Sequence, residues 1–202
     1  MSAEALSMYK KLDKKNLQTK LAIQCAPVIA GIKVSNLVTV ETGLVREAVR
    51  LFSGTGVRVF VFCHRGSSVS LLLYRKDALV EYLKQPDVCS MLTEFGVPVI
   101  DSTGSINLGM IFAHIAKKYK AHLDKDAQFP HELGLILGYP AEDVAGFMEN
   151  NGQNFKLNGY WKVYGQEEPA REKFSRYDMA KEMAVRLLAN NRSLLELMHG
   201  SI

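Results

Sequence analysis

The stretch VRVFVFCHRGSSVSLLLYR, residues 57 to 75, restricts the fold more than any other part of the chain. Two runs rich in β-branched and aromatic residues flank Arg65-Gly66-Ser67-Ser68, the pattern of two strands joined by a tight turn. The remainder reads mainly as helix. The pattern therefore predicts an α+β fold, with a small mixed or antiparallel sheet that contains this hairpin and is flanked by several helices.

Residues 4 to 30 read as helical, and Pro27 disfavours helix at Ala26, so QCAPVIAGIK marks a kink or a restart. Asn36 to Val40 reads as a short strand, and the apolar spacing of Gly43 to Phe52 as a buried helix stopped by Gly54 and Gly56. Helices are predicted over Lys76 to Lys84 and Pro86 to Phe95, with a short strand in GVPVID. A further helix is predicted over Ile106 to Leu123, with Asp101, Ser102 and Ser105 as N-cap candidates. Its Leu108, Ile111, Phe112, Ile115 and Tyr119 share one face. Then come a short helix over Glu132 to Leu137, the loop Gly138-Tyr139-Pro140, and a helix from Ala141 to Asn150. NNGQN reads as a turn and FKLNGYWKVYG as a strand. Glu167 to Asn190 reads as an amphipathic helix directing Phe174, Tyr177, Ala184 and Leu188 inward, before a last short helix holding Leu194, Leu195 and Met198. With no internal repeat and no low-complexity linker, the 202 residues fit one domain spanning 1 to 202.

Hydrophobic residues make up 48% and charged ones 23%, enough apolar content for a folded core. The formal charge of +4 is spread out, apart from Lys10, Lys11, Lys14, Lys15 and Lys20 near the start and Lys117, Lys118, Lys120 and Lys125 further on. These read as solvated helix faces, so no nucleic-acid partner is expected. A polar, charged start and the lack of a long apolar run lead us to expect a cytoplasmic protein without membrane association. Cys25, Cys63 and Cys89 show no CxxC spacing, which predicts neither a disulfide framework nor a metal site.

The densest chemistry lies in FPHELGLILGYPAEDVAGFMENNGQNFKLNGYWKVYG, residues 129 to 165. His131-Glu132 begins like a zinc-protease helix, but Leu135 stands where the second histidine is needed. Gly54-Thr55-Gly56 lacks the rest of a dinucleotide fingerprint. Cys63 and His64 are strand neighbours that point to opposite faces, and Cys89 reads as a small hydrophobe. Cys25 has two readings: a helix restarting at Pro27 would place its amides beside the thiol and lower the pKa, whereas a first helix continuing through it makes Cys25 ordinary packing. His131 and Glu132 can move protons if Glu142 and Asp143 fold back across Gly138-Tyr139-Pro140, although the two acids also suit a helix N-terminus. Tyr139, Tyr160, Trp161 and Tyr164 can line a pocket for a flat or apolar ligand, but strand alternation would send Tyr160 and Trp161 to opposite faces. DSTGSIN offers helix-start amides to an anion, as many capped helices do.

Together with LAIQCAPVIAGIKVSNLV, residues 21 to 38, this motif resembles the DUF3793 family, bacterial proteins of unknown function associated with clostridia and other anaerobes. The resemblance covers essentially the whole chain and implies a cytoplasmic bacterial setting, with no activity or cofactor to carry over. In that family's pattern histidine often precedes the cysteine, whereas Gln24 stands here before Cys25.

The leading expectation is a protein that binds a small ligand or a protein partner through a pocket or surface built from residues 129 to 165. Tyr139, Glu142, Asp143, Asn150, Asn154, Tyr160 and Trp161 are its expected contact residues. The alternative is a thiol or acid/base enzyme using Cys25 and His131, with Glu132 as a further candidate, in anaerobic redox or cofactor metabolism. A homodimer through the terminal helices, using an apolar stripe on residues 171 to 198, is a third possibility.

Overall fold

The computed structural model describes residues 1–199. The first half of the chain runs α1 (Ala3–Lys11), α2 (Leu17–Gln24), α3 (Ala26–Ile29), β1 (Ser35–Glu41), α4 (Val45–Leu51), β2 (Arg58–Arg65), β3 (Ser68–Tyr74), α5 (Lys76–Leu83) and α6 (Pro86–Glu94). The second half runs α7 (Leu108–Leu123), α8 (Leu133–Ile136), α9 (Ala141–Glu149), β4 (Leu157–Asn158), β5 (Lys162–Val163) and α10 (Glu167–Ala189), then a 3-10 turn over Leu194–His199. This is an α+β fold with one three-stranded and one two-stranded antiparallel sheet.

The predicted hairpin forms as β2 and β3, with Arg65 opposite Ser68 across Gly66-Ser67. Gly66 takes φ +56°, a left-handed conformation that costs glycine nothing. The order β1-β3-β2 places β3 in the centre. Its Val69, Leu71 and Leu73 enter one apolar cluster and Leu72 the other, because successive side chains leave a strand on opposite faces. Helices α2, α3, α4 and α10 cover the first face and α5 to α9 the second. A bulge between Val61 and Cys63 shifts the register of β2. Phe62 and Cys63 are both buried there, whereas His64 is exposed.

Several local expectations need correction. Helix does not run unbroken from residue 4 to the kink: α1 stops at Lys11, and the Asn16 side chain starts α2 afresh by accepting from the amides of Gln18 (2.8 Å) and Thr19 (3.3 Å). GVPVID contributes only one bridge, Ile100 to Ile106. Helix α7 is capped by Asn107, which accepts from the Met110 amide at 3.1 Å, not by Asp101, Ser102 or Ser105. Asp101 instead closes the preceding turn by accepting from the Thr103 hydroxyl and from the Thr103 and Ser105 amides. FKLNGYWKVYG folds back on itself as the β4–β5 hairpin, with Gly159, Tyr160 and Trp161 in the loop.

Three side chains fix the layers, two of them at the sheet and the third between α5 and the α8–α9 turn. The Arg75 guanidinium, just past β3, donates to the carbonyls of Val28 (2.7 Å) and Ile29 (2.5 Å) at the end of α3. The Ser35 hydroxyl donates to the carbonyl of Ile136 at the end of α8, and the Tyr82 hydroxyl donates to the carbonyl of Tyr139 at 2.6 Å. Helix α10 packs on α1, α2 and α3, so most of its apolar face is already covered and Met179 is its exposed large apolar side chain. Among the described residues no helix is long and apolar enough to cross a membrane.

Arg75 joins the sheet to α3 through charge-assisted bonds to carbonyls that have no other side-chain donor among the described residues. Arg75→Ala is therefore expected to destabilise the fold by about 2–3 kcal/mol, read as a lower urea midpoint with an unchanged slope.

Candidate functional site

Residues 129 to 165 surround a cavity of about 300 Å³. Phe129 and His131 reach it from the segment before α8, Tyr139 from the α8–α9 turn, Val144 and Phe147 from α9, and Asn158 to Lys162 from the small hairpin. Five aromatic residues thus contribute to one wall system. Tyr139 stacks on Trp161 with ring centroids 5.3 Å apart. Trp161 sits edge-on to Phe174 at 4.5 Å, and His131 packs between Phe129 (5.8 Å) and Phe147 (5.6 Å). Tyr160 and Trp161 both line the cavity, contrary to the alternation expected of a strand. They lie in the loop between β4 and β5, where the rule of opposite faces does not operate.

Asp143 holds this arrangement together. Its carboxylate is 3% exposed, with one oxygen accepting from the Trp161 indole N–H at 2.6 Å. The other oxygen accepts from the amides of Tyr164 (2.7 Å) and Gly165 (2.9 Å). The first turn of α9 also places it at the positive end of the helix. With both oxygens occupied, Asp143 serves to fix the indole and the hairpin, not to move protons.

Two glycines show how tightly the hairpin is seated. A Cβ at Gly159 would lie 2.3 Å from the Phe174 ring, and one at Gly165 would lie 2.1 Å from the Glu142 carboxyl carbon. Glu142 is exposed and stands against this segment outside the cavity lining. Asn150 donates to the Gly146 carbonyl at 2.9 Å and accepts from the Asn154 side chain at 3.3 Å. Both asparagines organise the turn after α9, and Asn154 adopts φ +56°. Neither lines the cavity.

Glu132 does not face the cavity beside His131. It is 1% exposed and accepts from the half-exposed Lys118 ammonium of α7, an ion pair that links α7 to the start of α8. Tyr160 donates to Asp178 at 3.0 Å and lies 4.2 Å beneath the Lys181 ammonium. Burial and that bond to Asp178 raise its pKa.

The helix restart at Ala26 does occur, with Cys25 at its N-cap, but the thiol activation made conditional on it does not follow. Cys25 is 0% exposed and burial pushes its pKa up to about 12, outweighing the opposing influence of Lys33 and Asn36. A four-residue helix cannot offset complete loss of solvent. Cys25 belongs to the core cluster of α2, α3 and α10, whereas His131 lines the aromatic cavity, so the expected Cys25–His131 pair does not form one site. Among the described residues no group of three or more His, Cys, Asp or Glu gathers as a metal site would require.

Sequence reading missed Phe129, Phe147 and Lys162 as cavity residues, and it missed Lys33. The first three stand inside the dense motif, and its composition was the available signal. Lys33 gave none beyond a lone charge inside the apolar run APVIAGIKVSNLV. It is 7% exposed, its ammonium donates to the Asn36 side chain and lies 5.4 Å from the Tyr139 ring, and burial lowers its pKa to about 8.

Two outcomes follow from these buried charges. Asp143→Asn replaces one acceptor oxygen with an NH₂ that must face the indole N–H or the two amides. A loss of about 2–3 kcal/mol in chemical denaturation is expected. For Lys33, the unfolded chain holds its proton up to the ordinary lysine range while the folded chain releases it near pH 8, so this penalty is complete below pH 8 and fades as pH rises above it. The stability of the natural chain relative to Lys33→Met is accordingly expected to rise between pH 8 and 10, approaching a total of about 3 kcal/mol.

Comparison with curated proteins finds no match, and comparison with solved structures finds none either. The model of the family described as "Protein of unknown function (DUF3793)" matches residues 21–198, spanning both sheets and the aromatic cavity, and the chain belongs to that family.

Proposed function

We propose that the protein is a small-molecule binder whose ligand is flat and largely apolar, held in the cavity between Phe129, Phe147, Tyr139 and Trp161. The observation that carries this reading is the convergence of five aromatic residues from separate chain segments on a space of about 300 Å³. That volume falls at the lower end of ordinary ligand sites, and such sites combine apolar walls with a few placed polar groups. The polar groups here are limited. Asp143 already accepts from three donors of the scaffold. Lys162 donates to the Gly152 carbonyl at 2.5 Å, and an ammonium has two further N–H groups. The imidazole of His131 packs against rings. A ring system bearing a carboxylate or carbonyl at one edge satisfies these groups best.

Binding is the better reading than turnover. Among the described residues the cavity lining holds no cysteine or serine nucleophile, and its one carboxylate is committed to the scaffold. A partner surface is less well supported than a ligand site, because the aromatic residues enclose a concave space.

Trp161 is the only tryptophan and forms part of the wall, so its emission reports occupancy directly. Titration with 2-naphthoate and indole-3-carboxylate is expected to change that emission saturably, and Phe147→Ala is expected to weaken the response at least tenfold. Cyclohexanecarboxylate, which has the charge without the flat ring, is expected to bind far more weakly. An emission unchanged by the aromatic acids, together with an unshifted melting temperature, would overturn the reading.

A further inference from the structure

A second cleft, of about 240 Å³, shares no lining residue with the aromatic cavity. It opens where the first turns of two nine-residue helices come together, with Gln85, Asp87 and Val88 of the α6 start facing Pro140 and Ala141 of the α9 start. Neither helix has a side-chain cap. The amides of Asp87, Val88, Ala141 and Glu142 have no backbone acceptor among the described residues. Free amides and the aligned peptide dipoles give each helix start a partial positive charge, and here two such ends border one space.

The remaining wall adds charge of the same sign. Lys33 and Lys173 line the cleft, as does Tyr177, one turn along α10 from Lys173. Tyr177 is 4% exposed and its hydroxyl makes no hydrogen bond to the described residues. Lys33 is also more than nine-tenths buried, and among the described residues its only side-chain hydrogen-bond partner is the neutral amide of Asn36. No carboxylate lies within ion-pair distance of it among the described residues. A buried ammonium without a counter-charge is costly in a folded chain, and the contrast with Glu132, which is fully paired to Lys118, is direct. Among the described residues Asp87 is the only acidic one lining the cleft, and it is exposed.

We propose that this cleft binds the phosphate group of a small metabolite, through Lys33, Lys173, the Tyr177 hydroxyl and the unpaired helix-start amides. Two ammonium groups, a hydroxyl and amides from two helices offer more donors than a carboxylate can use. They suit the oxygens and double charge of a phosphate. The cleft admits a short organic group beyond the phosphate, so a monoester fits it as well as the free ion.

The test is isothermal titration calorimetry on the full chain at pH 7 and low ionic strength, with inorganic phosphate, glycerol 3-phosphate and acetate as probes. Saturable binding of at least one phosphate probe, at least tenfold tighter than acetate, is expected. Lys33→Met and Lys173→Gln should each weaken it tenfold or more, Tyr177→Phe about threefold, and Asp87→Asn should strengthen it severalfold by removing the opposing charge. Lys10→Gln, an exposed change on α1, should leave it unchanged. Because Lys173 is exposed on α10, its variant tests the site even if Lys33→Met folds poorly. Absence of phosphate binding, acetate binding of equal strength, or phosphate binding indifferent to Lys173→Gln would overturn the proposal. Tighter binding of the ester than of the free ion would assign the site to a phosphate monoester, and the reverse order to inorganic phosphate.

Discussion

A strand buried on both faces must be covered twice, and β3 imposes that requirement on this chain. Val69, Leu71 and Leu73 need one helical layer and Leu72 another, since exposing either face would leave large aliphatic side chains in water at roughly 1.5–3 kcal/mol each. The two flanking strands and the two sets of helices follow from this demand. Arg75 then continues directly from the strand to the α3 carbonyls, so the central strand fixes the layer that contains Cys25 and Lys33.

The polar density of residues 129 to 165 serves scaffolding more than chemistry. Asp143 joins α9 to the hairpin, Glu132 joins α8 to α7, and Asn150 closes the end of α9. What is left lining the cavity is mainly aromatic surface, with Val144, Asn158, one imidazole and one ammonium. A buried polar group is stable when its partners are supplied by the protein, and such a group is then poorly placed to act on anything else. Lys33 and Tyr177 differ because the protein supplies them with little, which is why the second cleft carries its own reading.

Much of the fold was legible from local patterns. The hairpin at residues 57 to 75, the helix restart at Pro27, the faces of α7 and α10, and the punctuation at Gly138-Tyr139-Pro140 all rest on short-range rules of strand alternation, helical spacing and backbone restriction. The errors came where a local rule met a competing one. FKLNGYWKVYG has strand-forming residues, yet Asn158-Gly159 permits a turn and the close seat against Phe174 holds it there. That single fold-back brought Tyr160 and Trp161 into one wall.

The sequence by itself determined the α+β class, the family, and the segment in which ring-bearing and polar residues concentrate, because each depends on neighbours within a few positions. The tertiary structure alone decided which of those residues face open space. Cys25 sits at a helix start as its local sequence indicates, but burial by α2, α3 and α10 reverses the expected direction of its pKa. Lys33 and Tyr177 lie far apart in the chain and meet only because α10 packs across α3 and the approach to β1. Solvent exclusion and long-range approach are properties of the packed molecule, and no spacing rule along the chain contains them.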